Sequence, residues 1–113
     1  MKILLRNASG VLTQDDRDLA EKKFNRLNRY FATQPILELV HFELRGWHRL
    51  EVTLRADGRV IRAVGDASDF RQTVDQAVDN CEFRLAKLKD RVSRDKRGSS
   101  SRRFPDLESG LSE

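Results

Sequence analysis

The stretch Asp69 to Arg94, DFRQTVDQAVDNCEFRLAKLKDRVSR, constrains the fold more than any other part of the chain. Phe70, Val74, Ala77, Val78, Cys81, Leu85, Leu88 and Val92 recur at spacings of three and four. On a helix they fall on one stripe that must pack against something. Arg84, Lys87, Arg91 and Arg94 form a second stripe beside it, and Asp75, Asp79, Glu82 and Asp90 a third on the other flank. Solvation alone does not require charges to be sorted by sign around a helix. The sorting points to a field aimed at a polyanion.

The charge along the whole chain says the same. Residues 1–83 hold 13 basic and 13 acidic side chains, whereas residues 84–103 hold 9 basic against 2 acidic. A basic block of this kind favours nucleic acid or an anionic membrane as partner. A helix whose apolar stripe is needed for a core is a poor membrane anchor, so no membrane partner is expected. At 113 residues the chain has room for one domain with a modest core. Cys81 is the sole cysteine and lies on the apolar stripe, where it reads as a small core hydrophobe. Disulfides within the chain and metal sites built on cysteine pairs are excluded. The opening MKILLRN is far too short an apolar run for a signal peptide, and no segment is long enough to span a bilayer. The expected compartment is the cytoplasm.

In chain order, Lys2 to Arg6 reads as a short strand with Ile3 and Leu5 on one face. Ser9-Gly10 marks a loop, and Thr13 is a good N-cap ahead of Asp15 and Asp16. A helix from about Gln14 to Ala32 follows, with Leu19, Phe24, Leu27 and Phe31 on one face and Lys22, Arg26 and Arg29 on another. After Pro35, Val40, Phe42 and Leu44 alternate with His41, Glu43 and Arg45, which predicts a strand with the first three facing inward. Leu37 and Leu39 are out of phase with that alternation, and a bulge would reconcile them. Gly46-Trp47-His48 reads as a tight connection. Leu50, Val52, Leu54 and Ala56 alternate with Arg49, Glu51, Thr53 and Arg55, and Asp57-Gly58 is a hairpin signal. Arg59 to Asp66 forms the next strand with Ile61 and Ala63 inward, and Ser68 or Asp69 caps the last helix, Asp69 pairing with Gln72 in a capping box.

The order is β-α-β-β-β-α, an α+β fold: a four-stranded mixed sheet with two helices packed on one face. The other face is expected to be open, showing Lys2, Arg6, Arg45, Arg49, Arg55 and Arg62 among Glu43 and Glu51, with His41 there too. The domain covers residues 1–95. Residues 96–113, with Gly98-Ser-Ser-Ser and Phe104-Pro105, carry no periodic apolar pattern and are expected to be a disordered tail.

The sequence holds no phosphate-cradling glycine loop. His41 and His48 have no suitably spaced Cys, His or carboxylate that would mark a metal site, and Glu43 and Glu51 read as strand neighbours rather than a catalytic pair. The chain is expected to be no enzyme, with no cofactor, no metal and no small-molecule substrate. What remains is a binding surface. Cations on one helix face neutralise phosphates and release condensed counterions, which makes affinity salt-dependent. Lys22, Arg26 and Arg29 extend that surface if the two helices lie side by side. Trp47, in its turn, either stacks on an unpaired base or caps the end of the core. Phe83, off the apolar stripe, either stacks likewise or packs locally.

This order resembles the double-stranded-RNA-binding fold, α-β-β-β-α, except that Asp66 and Asp69 stand where that module usually carries lysines. More specifically, the chain resembles the ribosome hibernation family: hibernation-promoting factor and ribosome-associated inhibitor A, also called sigma-54 modulation proteins. The likeness covers about residues 2–92. Its pieces are Arg6-Asn7, Thr13, Glu21-Lys22-Lys23-Phe24 with Leu27-x-Arg29-Tyr30-Phe31, the Asp57-Gly58 hairpin, Asp69-Phe70, Val74-Asp75, and Glu82-x-x-Leu85-x-Lys87-x-Lys89. The family often has Glu-Arg-Gln-Leu where this chain has Glu82-Phe83-Arg84-Leu85.

The resemblance implies a short-form factor that binds the small ribosomal subunit between head and body. There it occludes messenger and transfer RNA in stress or stationary phase. By motif position Lys22, Lys23, Arg29, Lys87 and Lys89 carry over as contacts to ribosomal RNA, and the stripe argument adds Arg26, Arg84, Arg91 and Arg94. The protein is expected to be a monomer when free. Two other readings stay open: a protein-interaction regulator using Asp75, Asp79, Glu82 and the tail, and a generic binder of structured RNA.

Overall fold

A computed structural model of the chain describes residues 1–95, with side chains through Leu88. Strand β1 (Lys2–Asn7) leads into helix α1 (Gln14–Phe24) and a 3₁₀ segment (Asn25–Tyr30). Strands β2 (Ile36–Leu44), β3 (Trp47–Ala56) and β4 (Arg59–Ala67) follow, and helix α2 (Phe70–Asp95) closes the order. The sheet order is β1-β2-β3-β4, with β1 parallel to β2 and the remaining pairs antiparallel. The fold is therefore the expected α+β arrangement. The tail expected over residues 96–113 lies outside the described residues, as do the side chains of Lys89, Arg91 and Arg94.

One core lies between the sheet and the helices. Phe24 and Leu27 meet Leu37, Leu39, Leu50, Val52 and Leu54 from the sheet and Val74, Val78 and Cys81 from α2. Cys81 is buried as a free thiol, and burial pushes its pKa from 9.0 to about 12. At Gly65 helix α2 comes so near β4 that a Cβ there would stand 2.8 Å from the Ala77 amide nitrogen and 3.0 Å from its Cβ. Among the described residues, no helix is long and apolar enough to cross a membrane.

Local chemistry explains most boundaries. Thr13 Oγ1 accepts the Asp16 amide at 3.1 Å and the Asp16 carboxylate accepts the Thr13 amide at 3.1 Å, a reciprocal capping box. Asp69 accepts the Gln72 amide at 2.8 Å at the start of α2. Asp57 (φ 54°) and Gly58 (φ 76°) turn the β3–β4 hairpin as expected.

Three expectations are corrected. In β2 the buried residues are Leu37, Leu39 and His41, while Val40 and Phe42 are half-buried and Leu44 is exposed. The strand is continuous and has no bulge: Leu37, Leu39 and His41 pair with Leu54, Val52 and Leu50 of β3. Directly opposed residues share a face, so the unambiguous alternation of β3 sets the phase of β2. His41 and Glu43 thus leave the open face for the inner one. Second, the turn into β3 is Arg45-Gly46 (φ 54° and 79°), and Trp47 and His48 already belong to the strand. Third, α1 stops at Phe24 and the chain tightens into 3₁₀ geometry up to Tyr30. Asn25 and Asn28 are weak helix formers that bond to each other side chain to side chain at 3.4 Å. A 3₁₀ turn also eclipses positions three apart, which lines up Arg26 and Arg29.

Candidate nucleic-acid interface

The two helices do lie side by side, but they meet through the acidic flank of α2. Lys23 Nζ is 2.7 Å from Asp75, and Arg26 is 3.2 Å from Asp79 and 3.1 Å from Glu82. Arg29 reaches the same Glu82 carboxylate at 3.2 Å and lies 5.3 Å from the Tyr30 ring centroid. The hydrogen bond that Arg26 donates to Glu82 raises the Arg26 pKa above its ordinary value, with desolvation opposing it. Three predicted RNA contacts are thereby neutralised by the three acids of the neighbouring stripe. The acidic stripe is correspondingly occupied, which removes the main observation behind a protein-docking reading of Asp75, Asp79 and Glu82. Lys22 is exposed and enters none of these pairs.

The opposite flank of α2 borders the sheet edge. Asn80 donates to the Val64 carbonyl at 2.6 Å, and Gln76 Oε1 accepts the Asp66 amide at 3.0 Å. These two side chains satisfy outward-facing backbone groups of edge strand β4, which would otherwise be open to strand addition. Arg84 and Phe83 line a shallow groove with Val64, Asp66, Gln76 and Asn80. Phe83 is 53% exposed, with Lys87 Nζ 5.3 Å from its ring centroid. Its local packing partner is thus a cation on the next helical turn. Arg26 and Arg29 thus border the Asp79–Glu82 flank of α2 and Arg84 the opposite one, so these two do not continue the Arg84 line.

Trp47 stands apart from both. Its residue is 52% exposed on the open face, next to Leu44 across the hairpin, and its indole N–H donates to Asp66 at 3.4 Å. It does not cap the core. The open face also shows Leu4, Ile36, Val60 and Val64. Its arginines are partly paired: Arg49 with Asp66 at 3.2 Å and Arg55 with Glu38 at 3.6 Å. The α1–α2 pairing had a signal in the sequence, the i, i+3 spacing of Arg26 and Arg29. It is visible only when a 3₁₀ period replaces the helical one.

A family model described as "Sigma 54 modulation protein / S30EA ribosomal protein" matches residues 9–93. The chain is 27% identical over 97 residues to the ribosome hibernation promotion factor of Picosynechococcus sp., covering 80% of this chain and 50% of that protein. It thus spans about half the length of this curated relative. Among solved structures, the N-terminal domain of Protein Y from Thermus thermophilus superposes with a TM-score of 0.72 at 27% identity, covering 78% of this chain and 99% of that one. A ribosomal subunit interface protein from Coxiella burnetii superposes with a TM-score of 0.70 at 20% identity, covering 80% and 99%, a likeness of fold. With the match running across most of the sheet and both helices, the chain belongs to the sigma 54 modulation protein / S30EA ribosomal protein family.

Proposed function

We propose that the chain is a hibernation-type translation inhibitor that binds the small ribosomal subunit. It occupies the cleft between head and body through which messenger and transfer RNA pass, and is held there by contacts to ribosomal RNA phosphates. The observation that carries this reading is the charge imbalance on a family fold: 9 basic against 2 acidic residues over 84–103, after a stretch that is balanced. The names of the relatives, a hibernation promotion factor and a subunit interface protein, support the same partner. Arg84, Lys87, Lys89, Arg91 and Arg94 form the principal footing. Lys22 is a secondary contact, and Lys23, Arg26 and Arg29 engage RNA by exchanging carboxylate for phosphate. Phe83 is placed to stack on a base at the rim of the footing. Trp47, on the open face, serves a different contact. Residues 1–95 are the binding domain, acting as a cytoplasmic monomer.

Sedimentation with purified ribosomes through sucrose at two salt concentrations tests this. The wild type should travel with the small subunit and dissociate as salt rises, and a variant with Arg84, Lys87, Arg91 and Arg94 changed to Ala should stay at the top. Wild-type protein that remains at the top in low salt would refute the proposal. Equal affinity for naked structured RNA and for ribosomes would point instead to a generic RNA-binding module.

A further inference from the structure

The end of the inner sheet face farthest from the β3–β4 turn carries an arrangement that RNA binding does not use. His41 and Glu43 lie two apart on β2, and His48 of β3 is the direct cross-strand partner of Glu43. All three point to the inner side, where the His41 and His48 rings lean on Phe70 at centroid distances of 5.3 and 6.2 Å. One ligand atom from each of the three residues falls within 4.8 Å of the others.

The protonation of this cluster follows from its bonds. The Asn7 side-chain amide donates to the Gly10 carbonyl at 2.8 Å, so its oxygen is the atom 2.7 Å from His41 Nδ1. His41 Nδ1 therefore carries the hydrogen, and Nε2 presents a lone pair 2.9 Å from His48 Nδ1. An Asn oxygen fixing one nitrogen of a buried imidazole so that the other faces outward is the support that metal-ligating histidines characteristically have. The Glu43 carboxylate lies 4.0 Å from His48 Nε2. It accepts no hydrogen bond from the described residues, although it is only about a third exposed (30%).

We propose that His41, His48 and Glu43 form a binding site for one late first-row divalent cation, with zinc the best chemical match. Two imidazoles and a carboxylate are the three-ligand set that zinc accepts with water in its fourth position. Calcium and magnesium prefer oxygen donors throughout. Zinc bonds of about 2.0–2.1 Å to nitrogen ask the two rings to separate by only a few tenths of an ångström. The bound ion clips the β2–β3 hairpin to the loop after β1, through Asn7, and to the start of α2, through Phe70. This role is structural and independent of the basic flank.

The test uses the full chain without a histidine tag, stripped with chelator and titrated with Zn²⁺ by calorimetry and thermal melting. The expected result is one zinc per chain with Kd below about 10 µM and a rise in Tm of about 5 °C or more at saturating metal. His48→Gln keeps a donor for His41 but removes a ligand, and Glu43→Gln removes the charge. Each should weaken binding by at least about tenfold and shrink the Tm shift, and Asn7→Ala should weaken it by about 10–100-fold. His48 and Glu43 are partly exposed, so retention of the fold is checked by circular dichroism, and Glu43→Gln carries the test if His48→Gln does not fold. Wild-type protein that shows neither heat nor Tm shift with zinc, or both ligand variants binding as tightly as wild type, would overturn the proposal.

Discussion

The two flanks of α2 carry charges of opposite sign at similar spacing, yet they end in different surroundings. Asp75, Asp79 and Glu82 face the 3₁₀ segment and the end of α1, where Lys23, Arg26 and Arg29 meet them at 2.7–3.2 Å. On the other flank Gln76 and Asn80 cap the edge of β4, and Arg84 continues the line. A charge paired within the molecule contributes little field beyond a Debye length of about 8 Å at physiological salt. The lesson is that the number of cations on this face overstates the surface a polyanion meets. Arg84 lies on the flank turned away from those pairs, beside Gln76 and Asn80.

Removing Arg84, Lys87, Arg91 and Arg94 together should have the largest effect. Four lost phosphate contacts lower the slope of log affinity against log salt by about 3, read from ribosome binding between 50 and 200 mM salt. The triple variant of Lys23, Arg26 and Arg29 to Ala should lower it by less. Equal losses would break the contrast between the flanks. Next comes the platform itself. Gly65→Ala pushes a methyl onto the α2 backbone and should destabilise the fold by about 2 kcal/mol in urea unfolding. Asn80→Ala, which removes one cap of the β4 edge, should cost about 1 kcal/mol and increase self-association. A double-mutant cycle of Arg26→Ala and Glu82→Gln should give a coupling below about 1 kcal/mol, because the pair is partly exposed. Glu82→Gln alone should raise RNA affinity a few-fold by releasing Arg26, and a fall would show that the pair organises the surface instead.

The stripe between the flanks offers the smallest effect. With Cys81 at about 12 in the fold against 9.0 unfolded, its contribution to stability is complete below pH 9 and is lost as pH rises toward 12. A thiol reagent at pH 8 should label it only in denaturant. The urea midpoint should fall less between pH 8.5 and 10.5 in Cys81→Ala than in wild type.

Much of this was legible from local pattern. Thr13, Asp57-Gly58 and the alternation of β3 announce their structures because each depends on a few neighbouring residues. The apolar stripe of α2 does so because one period runs unbroken through it. Family membership was legible, since its motifs survive as sequence. The phase of β2, the pairing of charges and the histidine cluster were not. Strand β2 has apolar residues on both faces, so its own alternation carries no preference that could outweigh its partners. The Val40-Phe42-Leu44 set is the more hydrophobic, and it lost.

What the sequence by itself determined is the order of elements, the core face of α2 and the end of the chain on which positive charge gathers. Only the tertiary structure decided which charges remain for a partner and which side of the sheet His41 occupies. Both follow from contacts between residues 7 to 56 positions apart, such as His41 with His48 and Arg26 with Glu82. Periodicity ranks the faces of one element at a time. Register and packing between elements choose among those faces, because each buried polar group must find its partner on another segment.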